Sequence, residues 1–88
     1  MMEKAWCVYI LQCGDGTLYT GITNDLDRRI QMHSNGDGAK YTRGRGPIEL
    51  RYVENAESYS AALRREYAIK QMNRKQKLQL IENVTPED

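Results

Sequence analysis

The chain has 88 residues, a formal net charge of +1, and is 40% hydrophobic and 28% charged. That length supports one modest core and excludes a second domain, and the apolar fraction excludes a disordered chain. With so little net charge the molecule as a whole does not attract nucleic acid, so any such binding must come from local charge.

The hydrophobic opening run in MMEKAWCVYILQC is about half the length that spans a bilayer, and an acid stands beside its lysine. Neither a secretion signal nor a membrane anchor is read, and the expected location is cytoplasmic. AWCVYILQ and TLYTGIT are rich in β-branched and aromatic residues, with CGDG between them as turn chemistry, which predicts a hairpin. A connection of three or five residues puts Tyr9 opposite Tyr19 with both rings on one face, whereas two or four would send them to opposite faces. The odd length is expected, with a glycine at the bulge position.

A helix is expected from about Asp25 to Ser34, with Asn24 or Thr23 as N-cap and Gly36 as its stop. Leu26, Ile30 and His33 form one stripe at helical spacing, Arg29 borders it, and Asp27, Arg28 and Gln31 face water. NGDGAKYTRGRGP holds four of the seven glycines and three cations. It reads as a flexible basic loop whose Lys40, Tyr41, Arg43 and Arg45 can track phosphates. From Lys40 to Lys77 there are ten cations against four acids, which fits a phosphate-bearing partner and equally an ordinary solvated surface.

IELRYVEN alternates as a third strand, SYSAALRREYAIKQMN reads as a second helix capped by Ser58 or Ser60, and RKQKLQLIEN as a shorter third. The expected fold is α+β: a small three-stranded, mainly antiparallel sheet flanked by helices, in the order ββαβαα. One domain covers residues 1–83, and residues 84–88 form a frayed tail. Cys7 and Cys13 lack a CxxC spacing and the chain has one histidine, so they read as reduced core or edge thiols and not as zinc ligands.

Glu66 occupies the least comfortable position in the sequence. At about 100° per residue, the inward stripe of the second helix comprises Tyr59, Ala62, Leu63, Tyr67 and Ile69, with Lys70 and Asn73 at its margins and Glu66 inside it. Arg64, Arg65, Ala68 and Gln71 face away. A carboxylate aimed at a core is costly unless paired or bound to a cation. Two readings stand: an i,i+4 pair with Lys70, worth a few tenths of a kcal/mol, or a functional ligand. Arg29 has a planar fork suited to phosphate, or else a stem that covers the core while its head reaches solvent. His33 is either a proton carrier or a satisfied, partly buried histidine.

Together these residues resemble the GIY-YIG nuclease superfamily, specifically its small standalone bacterial members. The first triplet stands here as Cys7-Val8-Tyr9 and the second as Tyr19-Thr20-Gly21. Arg29 falls at the position of the family's catalytic arginine, His33 where relatives have histidine or tyrosine, and Glu66 at the metal-binding glutamate. The resemblance implies a metal-dependent endonuclease hydrolysing DNA phosphodiester bonds with low sequence specificity, in repair or recombination, on branched or single-stranded DNA, with RNA left open. It implies one Mg²⁺ or Mn²⁺ on Glu66, Arg29 on the phosphate oxygens, and a tyrosine as general base. Tyr9 is favoured for that role, with Tyr19 positioning phosphate or water, His33 assisting and Lys70 contacting nucleic acid. No small-molecule cofactor or membrane is implied, and the expected state is a monomer or weak dimer.

Cys7 and Val8 depart from the Gly and Ile of the first triplet. A polar residue that several members place on the last helix falls on Leu78, which leaves the level of activity open. A noncatalytic nucleic-acid binder and a protein-interaction scaffold are the competing classes. The complete set of Tyr9, Tyr19, Arg29 and Glu66 favours the first reading, since a pure binder needs no inward carboxylate beside the phosphate site.

Overall fold

β1 (Trp6–Gln12) and β2 (Leu18–Thr23) pair antiparallel, and β3 (Glu49–Ala56) joins the other side of β1, so the sheet order is β2-β1-β3. Three helices complete the order ββαβαα: α1 (Leu26–Ser34), α2 (Tyr59–Lys70) and α3 (Arg74–Asn83). This computed structural model describes residues 5–37, 42 and 44–83.

Gln12 faces Leu18, which leaves the five residues 13–17 as the hairpin connection. Gly16 takes φ +88 there, a conformation open to glycine at little cost. The odd length puts both tyrosine rings on one face, but the pairing differs from the expected one by two residues. Tyr9 stands opposite Gly21 and Tyr19 opposite Leu11, so the rings meet diagonally.

β1 is covered on both faces, with Val8, Ile10 and Leu11 at 0% exposure and Tyr9 at 1%. Because successive side chains alternate, the even-numbered residues build one layer and the odd-numbered ones another. Val8 and Ile10 form the aliphatic core with Tyr52, Ala62, Ile69 and Ile81, which places α2 and α3 on that face. Tyr9 bonds to Arg29 and His33, which places α1 over the other. Cys7 and Cys13 are buried free thiols.

The caps fix the helix starts. Asp25, rather than Asn24 or Thr23, caps α1 by accepting from the Arg28 amide. Thr23 instead steers the entry, its Oγ1 accepting from the Asp25 amide at 3.0 Å. Ser58 caps α2. At the start of α3, Asn73 Oδ1 accepts from the Gln76 amide and Gln76 Oε1 from the Asn73 amide, a reciprocal box that satisfies two otherwise unpaired donors.

The buried face of α2 differs from the expected stripe. Ala62 and Ile69 are buried, whereas Tyr59, Leu63 and Tyr67 are 52%, 39% and 68% exposed. On one flank of that face Arg65 Nε donates to Glu54 of β3 at 2.7 Å. Ala62 and Ile69 pack in the core beneath the helix, and Tyr59 lies against Trp6 with the rings tilted, centroids 4.8 Å apart. Ile69→Ala is therefore expected to cost about 2–5 kcal/mol of stability, and Tyr67→Ala no more than about 0.5 kcal/mol. Denaturant melts of the two variants check this ordering. No helix among the described residues is long and apolar enough to cross a membrane.

Candidate active site

Gly21 admits the Tyr9 phenol onto the edge strand. A Cβ at that position would lie 2.5 Å from the Tyr9 Oη and 2.7 Å from its Cζ, so the glycine leaves the room that the ring end occupies. The phenol thus lies across β2 toward the rim of the sheet, where α1 reaches it.

Arg29 and His33 stand four residues apart, on one side of α1. Arg29 Nε donates to the Tyr9 hydroxyl oxygen at 3.4 Å, and His33 Nε2 lies 3.0 Å from the same oxygen. The His33 ring also packs on both tyrosines, with centroids 5.9 Å from Tyr9 and 5.2 Å from Tyr19. Its second nitrogen, Nδ1, lies 2.8 Å from Thr42 Oγ1. His33 and Thr42 are each 1% exposed, so this is an interior chain of polar groups joining β1, α1 and the loop.

Burial pushes the Tyr9 phenol above its ordinary pKa. The Arg29 hydrogen bond opposes that rise, Tyr19 adds to it, the Arg29 charge opposes it, and the Glu66 carboxylate adds to it. Burial also lowers His33, and the neighbouring Arg29 charge lowers it further. The free site therefore holds a neutral phenol beside a neutral imidazole at neutral pH. The hydrogen bond from Arg29 to Tyr9, with both phenols nearby, raises the guanidinium's pKa despite its burial.

Glu66 makes the i,i+4 pair of the first sequence reading. It pairs with Lys70 at 3.3 Å across one helical turn, its side chain 19% exposed, and it is close enough to Tyr9 to disfavour the phenolate. Among the described residues no group of three or more His, Cys, Asp or Glu could hold a metal ion. A divalent ion here would rest on the single carboxylate, with water and substrate oxygens completing its shell. That sparse oxygen set suits a hard divalent ion that keeps several waters.

An open cleft of about 180 Å³ beside Arg29 is lined by Thr23, Asn24, Asp25, Arg28, Arg29 and Met32. Arg28, assigned by helical spacing to solvent alone, thus shares the rim with Arg29. Arg45, one of the four loop residues expected to track phosphates, pairs with Asp15 of the hairpin turn at 2.5 Å. Hydrogen bonds from Thr17, followed by that guanidinium, hold the Asp15 carboxyl down at about 2. Lys40, Tyr41 and Arg43 lie outside the described residues. Leu78 packs against the core and Asn73 is committed to its cap, so neither supplies the last-helix polar group.

Tyr9, Tyr19, Arg29 and His33 come from three elements and meet on one face of the sheet, and the charge of Glu66 on α2 acts on Tyr9. Thr42 was not singled out from the sequence, since a threonine in a glycine-rich loop has no periodicity to mark it. The available signal was His33 itself, because a buried ring needs partners for both nitrogens.

The sheet thus carries paired tyrosines with an arginine and a histidine of α1 beside them, and a carboxylate stands on a later helix. The GIY-YIG catalytic domain family matches residues 5–79, and the chain belongs to that family. Membership implies a nuclease-like role on a nucleic-acid substrate, and nucleases of this family generally use divalent metal ions. The chain is 56% identical to a UPF0213 protein of Oceanobacillus iheyensis, over 92% of this chain and 94% of that one. A UPF0213 protein of Halobacterium salinarum is 59% identical over 80% and 91%. Among solved structures, the solution NMR structure of a UPF0213 protein from Bacillus halodurans has a TM-score of 0.60 at 49% identity, covering 90% of this chain and 84% of that one. A protein from E. faecalis has a TM-score of 0.66 at 38% identity, covering 99% and 95%.

Proposed function

We propose that the protein is a metal-dependent endonuclease that hydrolyses DNA phosphodiester bonds with low sequence specificity. The observation that carries this reading is the Tyr9 hydroxyl oxygen, held between Arg29 Nε and His33 Nε2 and within the field of Glu66. One oxygen thus has a cation and an imidazole nitrogen within hydrogen-bond reach and feels the charge of a carboxylate. A module that only bound nucleic acid would gain nothing from a carboxylate at that point, since it repels phosphate.

Glu66 would hold one Mg²⁺ or Mn²⁺ together with waters. When bound, the ion supplies charge neutralisation to the scissile phosphate and the departing 3′ oxygen. Arg29 binds the nonbridging oxygens, where its rigid fork is strongest as their charge grows. Tyr9 takes a proton from the attacking water and passes its own to His33, while Tyr19 orients phosphate or water beside it. The water oxygen forms the new bond to phosphorus and the 3′ oxygen leaves with the electrons of the broken one. An unperturbed phenol is ionised to only about one part in a thousand at neutral pH, so the proton acceptor and the cation are requirements of this chemistry. Lys70 and the basic loop, with Lys40, Tyr41, Arg43 and Arg45, would contact the phosphates flanking the cut.

The test is incubation of the protein with branched, single-stranded and duplex DNA in Mg²⁺ or Mn²⁺. Cleavage that chelation by EDTA abolishes is the expected result. Salt-dependent binding without cleavage of any of the three, in either metal, would replace the reading with a noncatalytic binder.

A further inference from the structure

The buried polar chain continues past His33. Thr42 is 1% exposed, although Gly44 and Gly46 close to it are exposed. Its position is fixed from two directions. Its Oγ1 meets His33 Nδ1 at 2.8 Å, and its carbonyl accepts from the Arg45 amide at 3.1 Å. Arg45 in turn is fastened to the hairpin turn, its carbonyl accepting from the Gly14 amide and its guanidinium pairing with Asp15. This part of the basic loop is thus strung between the hairpin turn and the histidine.

Donor and acceptor inventory assigns the protons. Arg29 Nε can only donate, so it uses a lone pair of the Tyr9 oxygen. The neutral phenol must still place its own proton, and His33 Nε2 is the acceptor within reach. Leaving that proton unplaced in a buried site would cost the full desolvation penalty of the hydroxyl. Nε2 is therefore bare, the ring proton sits on Nδ1, and Thr42 Oγ1 accepts it.

We propose that Thr42 is a positioning residue acting through His33: by accepting from Nδ1–H it holds the ring in the tautomer whose bare Nε2 faces Tyr9. It thereby sets how readily the phenol gives up its proton, and the proposal rests on the reading of Tyr9 as the general base. Among the described residues the titratable and charged groups that face His33 include Tyr9 from β1, Tyr19 from β2 and Arg29 from its own helix, with Glu66 of α2 acting on Tyr9. When Tyr9 hands its proton to Nε2, the resulting imidazolium keeps its Nδ1–H on the Thr42 oxygen, and the proton from water replaces the one lost. Second partners of this kind fix tautomer and ring orientation at many histidine sites.

The chain has one histidine, so an imidazole nitrogen-15 spectrum reports this ring alone. The spectrum is recorded without metal or DNA for the unsubstituted protein, Thr42→Ser, Thr42→Val and Thr42→Ala. The unsubstituted protein and Thr42→Ser are expected to carry the proton on Nδ1, and the other two to shift toward the Nε2–H form. Cleavage by Thr42→Val and Thr42→Ala is expected to fall about tenfold or more. The acid limb of the pH–rate profile should move to lower pH, because the imidazolium loses the oxygen that stabilised it, and Thr42→Ser should restore rate and profile. An unsubstituted ring protonated on Nε2 overturns the proposal. So does a Thr42→Val or Thr42→Ala protein whose tautomer, or whose rate and profile, matches the unsubstituted one. Failure of the unsubstituted protein to cut any DNA would remove the nuclease reading, and the tautomer spectra would still decide whether Thr42 orients His33.

Discussion

Glu66→Gln is expected to lower metal-dependent cleavage about a thousandfold or more with the fold intact. Glutamine keeps the volume but not the charge, and one neutral amide cannot hold a divalent ion where no three-ligand cluster exists among the described residues. The charge neutralisation lost is worth several kcal/mol in the transition state, and each 1.4 kcal/mol is about tenfold in rate. Stability should barely change. The pair with Lys70 is an i,i+4 contact whose lysine is 50% exposed, and such pairs contribute only about 0.3–0.5 kcal/mol. Single-turnover cleavage at saturating metal, beside a thermal melt, separates the two effects. A rate within tenfold of the unsubstituted protein would show that Glu66 belongs to its ion pair with Lys70 alone.

Gly21→Ala is expected to damage stability and activity together. The added methyl would stand 2.5 Å from the Tyr9 oxygen and 3.1 Å from Tyr19 Cε2, well inside contact distance. Both rings must move, and the one that moves most is the ring Arg29 and His33 hold. Overpacking of this kind costs about 1–3 kcal/mol, and a displacement of about 1 Å at a reacting group can cost about a hundredfold in rate. Urea melts and cleavage rates measure the two losses. An alanine variant with an unchanged rate would mean that the Tyr9 oxygen takes no part in the reaction.

These expectations start from residues whose places were legible to different degrees. The hairpin, the helix carrying Arg29 and His33, and the ββαβαα order follow from composition, caps and turn chemistry. The odd loop length fixes which face each ring takes but not its partner, because three and five residues satisfy the same parity. The five-residue connection slides Tyr9 past Tyr19 to Gly21, and only then does the second-triplet glycine acquire its use. The rotation of α2 was not legible. A hydrophobicity stripe favours Tyr59, Leu63 and Tyr67, yet the ion pair of Arg65 with Glu54 and the packing of Ala62 and Ile69 turn those three outward. Thr42 stayed hidden since its hydrogen bond to His33 joins a loop to a helix, which no local pattern encodes.

The double burial of β1 has a bearing on motion. A strand with Val8 and Ile10 in the aliphatic core and Tyr9 in the polar cluster cannot slip or peel without breaking both layers at once. The slowest amides to exchange with heavy water should therefore be those flanking the phenol, opening only when the whole molecule unfolds. The Tyr9 oxygen thus rides on a strand buried on both sides, and, on the proposed reading, adaptation to the shape of a substrate falls to the rim around it.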